Sequence, residues 1–209
     1  MRLCQLLTDV GGNSNSGIRC DGKSGGLALL WKEGVDARFK SCSNVHIDVV
    51  VREFSSSPPW RAMGSYGQPK SEKMYILWQL LEALQDQCEM PWIVFGDFNE
   101  IVYSYEKLGG LERDGKWMAK FRDYLDKCGL FDLGFVGHRF TWCNGRHGDQ
   151  RTKLRLDRMV ANEDWLRLFP EASVHHFSMS YFDHCMLVLA LKCNQPRKPV
   201  KKRFMFEAM

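Results

Sequence analysis

The sequence predicts a single α/β domain in which sheets pack at the centre and amphipathic helices lie outside. Three observations support this prediction: apolar runs of strand length dominate the chain, two segments show helical spacing of apolar residues, and no internal repeat occurs. With 209 residues, 44% of them hydrophobic and 26% charged, the chain can bury one substantial core.

The first half of the chain predicts three strands. A stretch rich in Gly, Asn and Ser over residues 11–24 is interpreted as a loop. Residues 25–31 then form a largely apolar run, which is typical of a strand buried on both faces. Residues 45–51 alternate before becoming wholly apolar, and after a turn the third predicted strand covers residues 60–66.

Two longer segments predict helices. Residues 71–87 place five apolar side chains on one helical face, with Ser71 at the N-cap position. Residues 116–128 have a second apolar face, and Gly129 is placed to end that helix. The last third predicts short strands around one short helix: strands over residues 139–143, 154–160, 174–178 and 185–191, and the helix Glu163–Leu168.

An acidic motif follows the strand between the two helices. The apolar residues 92–95 run directly into Gly-Asp-Phe-Asn at residues 96–99. A carboxylate buried at a strand end is costly unless a metal, a hydrogen-bond donor or a substrate compensates it. The alternative is that Asp97 and Asn99 cap a turn, and the segment alone leaves both interpretations open.

Two further aspartates occupy the same kind of position. Asp157 lies within the apolar stretch 154–160, and Asp183 precedes His184 just before the last predicted strand. Each could be a capping or ion-paired residue, and for Asp157 the flanking Arg155 and Arg158 favour an ion pair. An Asp-His dipeptide also occurs by chance.

The order of the motifs resembles the endonuclease/exonuclease/phosphatase superfamily, and more closely the endonuclease domain of plant LINE-type non-LTR retrotransposons. The resemblance covers residues 24–192 and includes Gly-Asp-Phe-Asn, Arg-Leu-Asp-Arg and Asp-His in that order. It implies a two-sheet sandwich flanked by helices, a four-layer α/β fold. The motifs lie at residues 24–31, 60–67, 91–100, 106–110, 140–144, 155–158 and 183–184.

The resemblance also implies metal-dependent hydrolysis of DNA phosphodiesters. Asp97 would activate or orient the water, and Asn99 would hold the phosphate or a metal-bound water. Asp97, Asn99 and Asp183 would lie at a Mg²⁺ or Mn²⁺ ion, which prefers oxygen ligands. Asp157 would form a hydrogen bond to His184, fixing its tautomer and favouring its protonated form.

Four further residues complete the implied site. Tyr66 would donate its hydroxyl to the phosphate. Thr141, Trp142 and Asn144 would lie on a loop near the DNA, although a core aromatic is the alternative interpretation of Trp142.

The sequence departs from the family pattern at two places. Family members begin with two strands that supply an Asn and a metal-binding Glu, whereas residues 1–23 contain no Glu and the first in the chain is Glu33. Phe182 replaces the serine that usually precedes the Asp-His pair. We therefore expect an N-terminally truncated domain, with its first strands missing and weak or absent nuclease activity.

Composition narrows the remaining function classes. The eight cysteines are scattered without a Cys-x-x-Cys pair, which predicts reduced thiols and no structural zinc. No apolar run is long enough for a membrane span and no signal peptide is recognised, so we expect an intracellular protein. A basic segment over residues 193–209 is interpreted as a solvated linker, with nuclear localisation or phosphate contact as alternatives.

Three functions therefore stay open. The first is a metal-dependent DNA endonuclease, for which the net charge of +4 permits DNA as a partner. The second is a phosphoesterase of the same fold that acts on other phosphates. The third is an inactive remnant that at most binds nucleic acid.

We expect residues 1–23 to lie outside the domain.

Overall fold

The structure is a computed structural model that describes residues 17–20, 27–31, 35–52, 57–87, 89–178 and 183–191, with the backbone alone at residues 17–20 and 71. These residues form fourteen strands and three α-helices. The strands are β1 (Gly17–Cys20), β2 (Leu27–Leu30), β3 (Asp36–Ser43), β4 (His46–Arg52), β5 (Trp60–Tyr66), β6 (Trp92–Asp97), β7 (Lys107–Leu108), β8 (Phe131–Asp132), β9 (Val136–Gly137), β10 (Trp142–Cys143), β11 (Lys153–Leu154), β12 (Asp157–Ala161), β13 (Ser173–Phe177) and β14 (Met186–Ala190). The helices are α1 (Tyr75–Gln85), α2 (Gly115–Lys127) and α3 (Glu163–Leu168).

A six-stranded sheet of order β3-β4-β5-β6-β12-β8 forms the centre. Strands β5 and β6 are parallel and are joined through α1, because a parallel pair needs a crossover connection. Strand β12 pairs antiparallel with the other edge of β6. Three smaller sheets have the orders β1-β2, β14-β13-β9 and β10-β11-β7.

Both faces of the central sheet are buried, against different layers. Successive strand residues point to opposite faces, so β6 supplies Ile93 and Phe95 to one core and Trp92 and Val94 to another. The first core also contains residues of β2, β13 and β14, and the second contains the apolar faces of α1 and α2. The predicted mixed α/β sandwich with helices outside is confirmed.

Several predicted elements agree closely with the structure. Strand β5 and helix α3 have the predicted bounds, and α2 is displaced by one residue at each end. Gly129 follows α2 with φ of +59°, which is the left-handed conformation that ends many helices. The N-cap prediction for Ser71 is wrong, because a short 3₁₀ turn precedes α1 and Met74 occupies its N-cap position.

Other elements differ from the predictions. Strand β1 lies inside the predicted loop over residues 11–24 and pairs with β2. Edge strand β3 was not predicted, since its polar sequence and a register shift between Phe39 and Ser41 conceal its periodicity. The predicted strand over residues 154–160 is divided into β11 and β12. Residues 1–16 and the basic segment over residues 193–209 lie outside the described residues.

Two composition-based predictions can be compared with the described residues. Cys42, Cys128, Cys143 and Cys185 are free thiols, as predicted. None of the helices in the described part of the chain is long and apolar enough to span a membrane.

Three buried charged residues and the partly exposed Asp132, which we call the four-charge cluster, connect β12 to the segments around it. Arg155 and Arg158 each bond both Glu106 and Asp132, at N–O distances of 2.8 to 3.0 Å. The Arg158 side chain is 0% exposed and that of Glu106 is 3% exposed. Burying such charges is costly unless each has its partners, so removal of one carboxylate leaves two arginines with a single counter-charge.

We predict that Glu106→Gln lowers the free energy of unfolding by about 3–5 kcal/mol, because both arginines lose their deepest counter-charge. Urea denaturation measures this change. The matched control is Glu163→Gln, whose partner Arg167 is as exposed as Glu163 itself, at 67%. We expect that control to change the stability by less than about 1 kcal/mol. Equal effects of the two substitutions would show that the cluster contributes no special stability.

Candidate active site

Three predicted residues lie side by side at one rim of the central sheet. Tyr66 at the end of β5 pairs with Asp97 at the end of β6, and Asp97 pairs with Asp157 at the start of β12. Paired residues on adjacent strands project to the same face. This is the face of Ile93 and Phe95, so the row opens towards the β14-β13-β9 sheet.

Two glycines allow the backbone to approach closely at this rim. Gly96 has φ of +136°, and a Cβ there would lie 2.1 Å from the carbonyl oxygen of Ser65. A Cβ at Gly67 would lie 2.3 Å from the carbonyl oxygen of Phe98. The glycines of the Tyr-Gly and Gly-Asp-Phe-Asn motifs are therefore required by packing, which their spacing alone did not reveal.

Asn99 orients the Asp97 carboxylate. Its backbone N–H donates to Oδ1 of Asp97 at 2.8 Å, and its side-chain amide donates to Oδ2 at 2.8 Å and to the carbonyl of Gly67 at 2.7 Å. The φ of Asn99 is +54°, a left-handed conformation that Asn tolerates better than most residues. The turn-capping interpretation is thus confirmed, and the same bonds fix the carboxylate in place at the rim.

Asp157 and His184 form the predicted hydrogen bond. Nδ1–H of His184 donates to Oδ2 of Asp157 at 2.8 Å. The alternative of an ion pair with a flanking arginine is wrong, because Arg155 and Arg158 bond Glu106 and Asp132 in the four-charge cluster. The carboxylate of Asp157 therefore faces His184.

Thr141 holds the backbone next to both Asp157 and His184. Its Oγ1 accepts hydrogen bonds from the backbone N–H groups of Leu156 and Asp157, each at 2.9 Å. Its carbonyl accepts from the N–H of Cys185, the residue after His184, at 2.6 Å. Thr141 is 0% exposed. The Thr141 side chain therefore holds the backbone of the site, and the position of its loop near the DNA stays a prediction.

The other loop residues are partly exposed. The indole N–H of Trp142 donates to Oδ2 of Asp183 at 3.2 Å, and Trp142 pairs with His184 through an isolated β-bridge. Sequence patterns gave no signal for this bond. Trp142 also packs partly against a small apolar cluster, in agreement with the core interpretation, and its place near the DNA stays a prediction. Asn144 bonds the backbone of residues 146, 150 and 152, and so shapes the turn after β10.

The electrostatics of the rim favour a charged imidazole and a partly protonated carboxyl. Burial and the neighbouring charge of Asp157 raise the pKa of Asp97 to about 7, against the opposing effect of His184. Burial alone lowers the pKa of His184, but the hydrogen bond and charge of Asp157 outweigh it and raise this pKa to about 9. Burial, Asp97 and Asp183 raise the pKa of Tyr66, so its hydroxyl keeps its proton at neutral pH.

The rim fits a divalent metal ion only in part. Asp97, Asp183 and Asn99 offer oxygen atoms of the kind that Mg²⁺ prefers, and a bound cation would lower the pKa of Asp97, which burial and the charge of Asp157 raise. Among the described residues, however, no group of three or more His, Cys, Asp or Glu side chains is arranged to hold a metal ion. These residues alone therefore do not make a complete magnesium site.

Comparison with known proteins places this geometry in a family. Residues 5–177 match the model of the endonuclease/exonuclease/phosphatase family. This match begins at residue 5, whereas the motif resemblance in the sequence begins at residue 24. No curated protein sequence matches the chain.

Solved structures share the fold at low sequence identity. The endonuclease domain of TRAS1, a telomere-specific non-LTR retrotransposon, superposes with a TM-score of 0.69 and 16% identity, over 86% of this chain and 81% of that one. The AP endonuclease LMAP from Leishmania major gives 0.63 and 14%, over 83% and 69%. TDP2 from D. rerio, complexed with a single-strand DNA product, gives 0.53 and 13%, over 83% and 75%.

The chain therefore shares its fold with these structures, and the family match spans most of the chain, from before β1 to the end of β13. With its central sheet, its smaller sheets and its row of acidic strand ends, this chain belongs to the endonuclease/exonuclease/phosphatase family.

Proposed function

We propose that this chain is a DNA endonuclease domain of the non-LTR retrotransposon type, which hydrolyses phosphodiester bonds at the rim of the central sheet. The observation that carries the proposal is the hydrogen bond from His184 to Asp157, whose strand neighbour is Asp97. The TRAS1 endonuclease domain and the AP endonuclease support it, because both share this fold. A DNA substrate also implies an intracellular, nuclear location, which is part of the proposal.

The side chains of the rim supply distinct parts of the chemistry. His184, protonated through Asp157, places positive charge and a proton donor beside the phosphate. Asp97, with a pKa of about 7, is suited to take a proton from the attacking water. Asn99 fixes the orientation of that carboxylate, and the hydroxyl of Tyr66 is a further donor to a phosphate oxygen.

We propose Mg²⁺ or Mn²⁺ as the cofactor, held at Asp97, Asn99 and Asp183. These side chains supply only part of the roughly six oxygen ligands that Mg²⁺ takes, so we expect weak metal binding and slow turnover. The absence of any Glu from residues 1–32 agrees with that expectation, since the family pattern puts a metal-binding Glu there.

Nucleic-acid binding without turnover is the second candidate function. The specific observation in its favour is that the described residues do not form a group of three or more metal-binding side chains. Salt-sensitive DNA binding with no detectable nicking would favour this candidate over the endonuclease.

We predict weak nicking of supercoiled plasmid DNA that depends on the rim. With Mg²⁺ or Mn²⁺ present, His184→Gln and Asp97→Ala should each reduce nicking by at least about a hundredfold, because they remove the proton donor and the proton acceptor. The matched controls are His175→Gln in β13 and the exposed Asp164→Ala in α3, which should retain activity. Robust nicking by the wild type would contradict the expected slow turnover. Nicking that survives His184→Gln would contradict the assignment of the site.

We predict that Asp157→Asn lowers the pKa of His184 from about 9 towards or below its ordinary value of 6.5, because burial is then less opposed. An NMR titration of the imidazole Cε1–H resonance measures this change, and the signal is assigned from its loss in His184→Gln. An unchanged pKa would show that Asp157 does not control the protonation of His184.

A pH dependence of stability follows from the same pair. The pKa of His184 is raised on folding, so its stabilising effect is complete below pH 6.5 and is lost as the pH rises through about 9. The penalty for ionising buried Asp97 develops between pH 3.8 and about 7 and is constant above that range. We therefore predict that the melting temperature falls between about pH 7 and 9 in the wild type and falls less in Asp157→Asn, as measured by circular dichroism.

A further inference from the structure

Two tyrosines and two arginines form a continuous stack on the surface beside the site. The rings of Tyr103 and Tyr105 lie 5.2 Å apart and are nearly parallel, at 14°. The guanidinium of Arg122 lies over Tyr103 at 5.2 Å, and that of Arg139 lies over Tyr105 at 5.7 Å. We call these four residues the tyrosine–arginine stack.

The stack is exposed, and its arginines are already held in position. Tyr103 is 46% exposed and Tyr105 is 59% exposed. Arg122 donates one N–H to the carbonyl of Val102, and Arg139 donates one to the carbonyl of Tyr105. Each planar guanidinium carries further N–H donors, and its fixed position reduces the entropy lost when a ligand binds.

The positive charge of the stack is not neutralised within the described residues. Neither Arg122 nor Arg139 has a carboxylate partner there, whereas nearby Arg113 pairs with Glu100 at 2.7 Å. A pair of preorganised guanidiniums without counter-charges, of which Arg139 is exposed and Arg122 half-buried, is suited to phosphate oxygens, which they can bind through several N–H groups at once.

The small β10-β11-β7 sheet places the stack close to the catalytic rim. Trp142, Leu154 and Lys107 lie in one row across this sheet, so Lys107 is roughly 10 Å from Trp142 at two strand spacings. Tyr105 lies two residues before Lys107. Trp142 itself is bridged to His184.

Arg139, at the other end of the stack, also lies close to Trp142 in the chain. Arg139 precedes Trp142 by three residues, so their Cα atoms are at most roughly 11 Å apart. That distance corresponds to roughly three base pairs along a duplex, at about 3.4 Å per step. A duplex whose scissile phosphate lies at His184 therefore passes within reach of the stack.

We propose that the tyrosine–arginine stack binds backbone phosphates of duplex DNA a few nucleotides from the bond that is cut. This inference rests on the proposed function, because it takes DNA at the rim as its starting point. The stack contributes affinity and fixes the position of the duplex, and it carries no base specificity, since phosphate contacts are the same for every sequence.

The test is the salt dependence of binding to a fluorescently labelled duplex of about 20 base pairs, measured by anisotropy between about 50 and 200 mM salt. Arg122→Gln and Arg139→Gln should each reduce the slope of log K against log salt by about 0.9, because one phosphate contact is lost. Each should weaken binding about tenfold, the effect of losing one charge-assisted hydrogen bond.

Two comparison variants make the test specific. Arg167→Gln removes the same charge from exposed helix α3 and should leave the slope unchanged. Arg139→Lys keeps the charge but loses the planar group over Tyr105, and should bind with an intermediate affinity. This variant also tests the stack if Arg139→Gln does not fold, which thermal melting shows.

The outcomes separate this inference from the proposed function. If the wild type binds DNA in a salt-dependent manner but both glutamine variants behave like Arg167→Gln, the stack has only a structural role and the inference is wrong. If the wild type does not bind duplex DNA, the proposed function and this inference both fail. The inference is supported only if Arg122→Gln and Arg139→Gln both reduce the magnitude of the salt slope and Arg167→Gln does not.

Discussion

The four-charge cluster is the constraint on which the arrangement of this protein depends. Arg155 and Arg158 precede and follow Asp157, and both extend into the interior to reach Glu106 and Asp132. The cluster thereby fixes the start of β12 relative to β8 and to the segment before β7. Because both arginines pair with these two carboxylates, the carboxylate of Asp157 stays available to the rim. Burying these ions costs desolvation free energy, but their pairing leaves Asp157 as the charge that faces the site.

The rim that carries Asp97 and Asp157 lies where two sheets meet, and each sheet supplies different side chains. The central sheet supplies the row of carboxylates, and the segment before β14 supplies the imidazole. Thr141 joins the two through backbone hydrogen bonds to Asp157 and Cys185. The bond between Asp157 and His184 therefore depends on packing between the layers, so its protonation reports whether the layers are correctly assembled.

Much of the central fold could be predicted from the sequence, because β5, β6 and α2 have strong periodicity and clear ends. The pairing of Asp157 with His184 was predicted through the resemblance. Strand β3 was missed because an edge strand needs no apolar face. The structural role of Thr141 was not predicted, because its burial depends on residues distant in sequence. The ion pair of Asp157 with a flanking arginine stayed open as an alternative for the same reason: Glu106 and Asp132 are remote in the chain, and nothing local identifies them.

The position of β12 has a consequence for how the chain folds. This central strand begins 60 residues after β6 ends, yet it covers the whole free edge of β6. During synthesis at about 5–20 residues per second, that apolar edge stays open for roughly 3 to 12 s. Pairing so distant in sequence is slow to form, and an open strand edge invites association with other chains. The nascent chain is therefore most vulnerable to aggregation just before Asp97 and Asp157 come together.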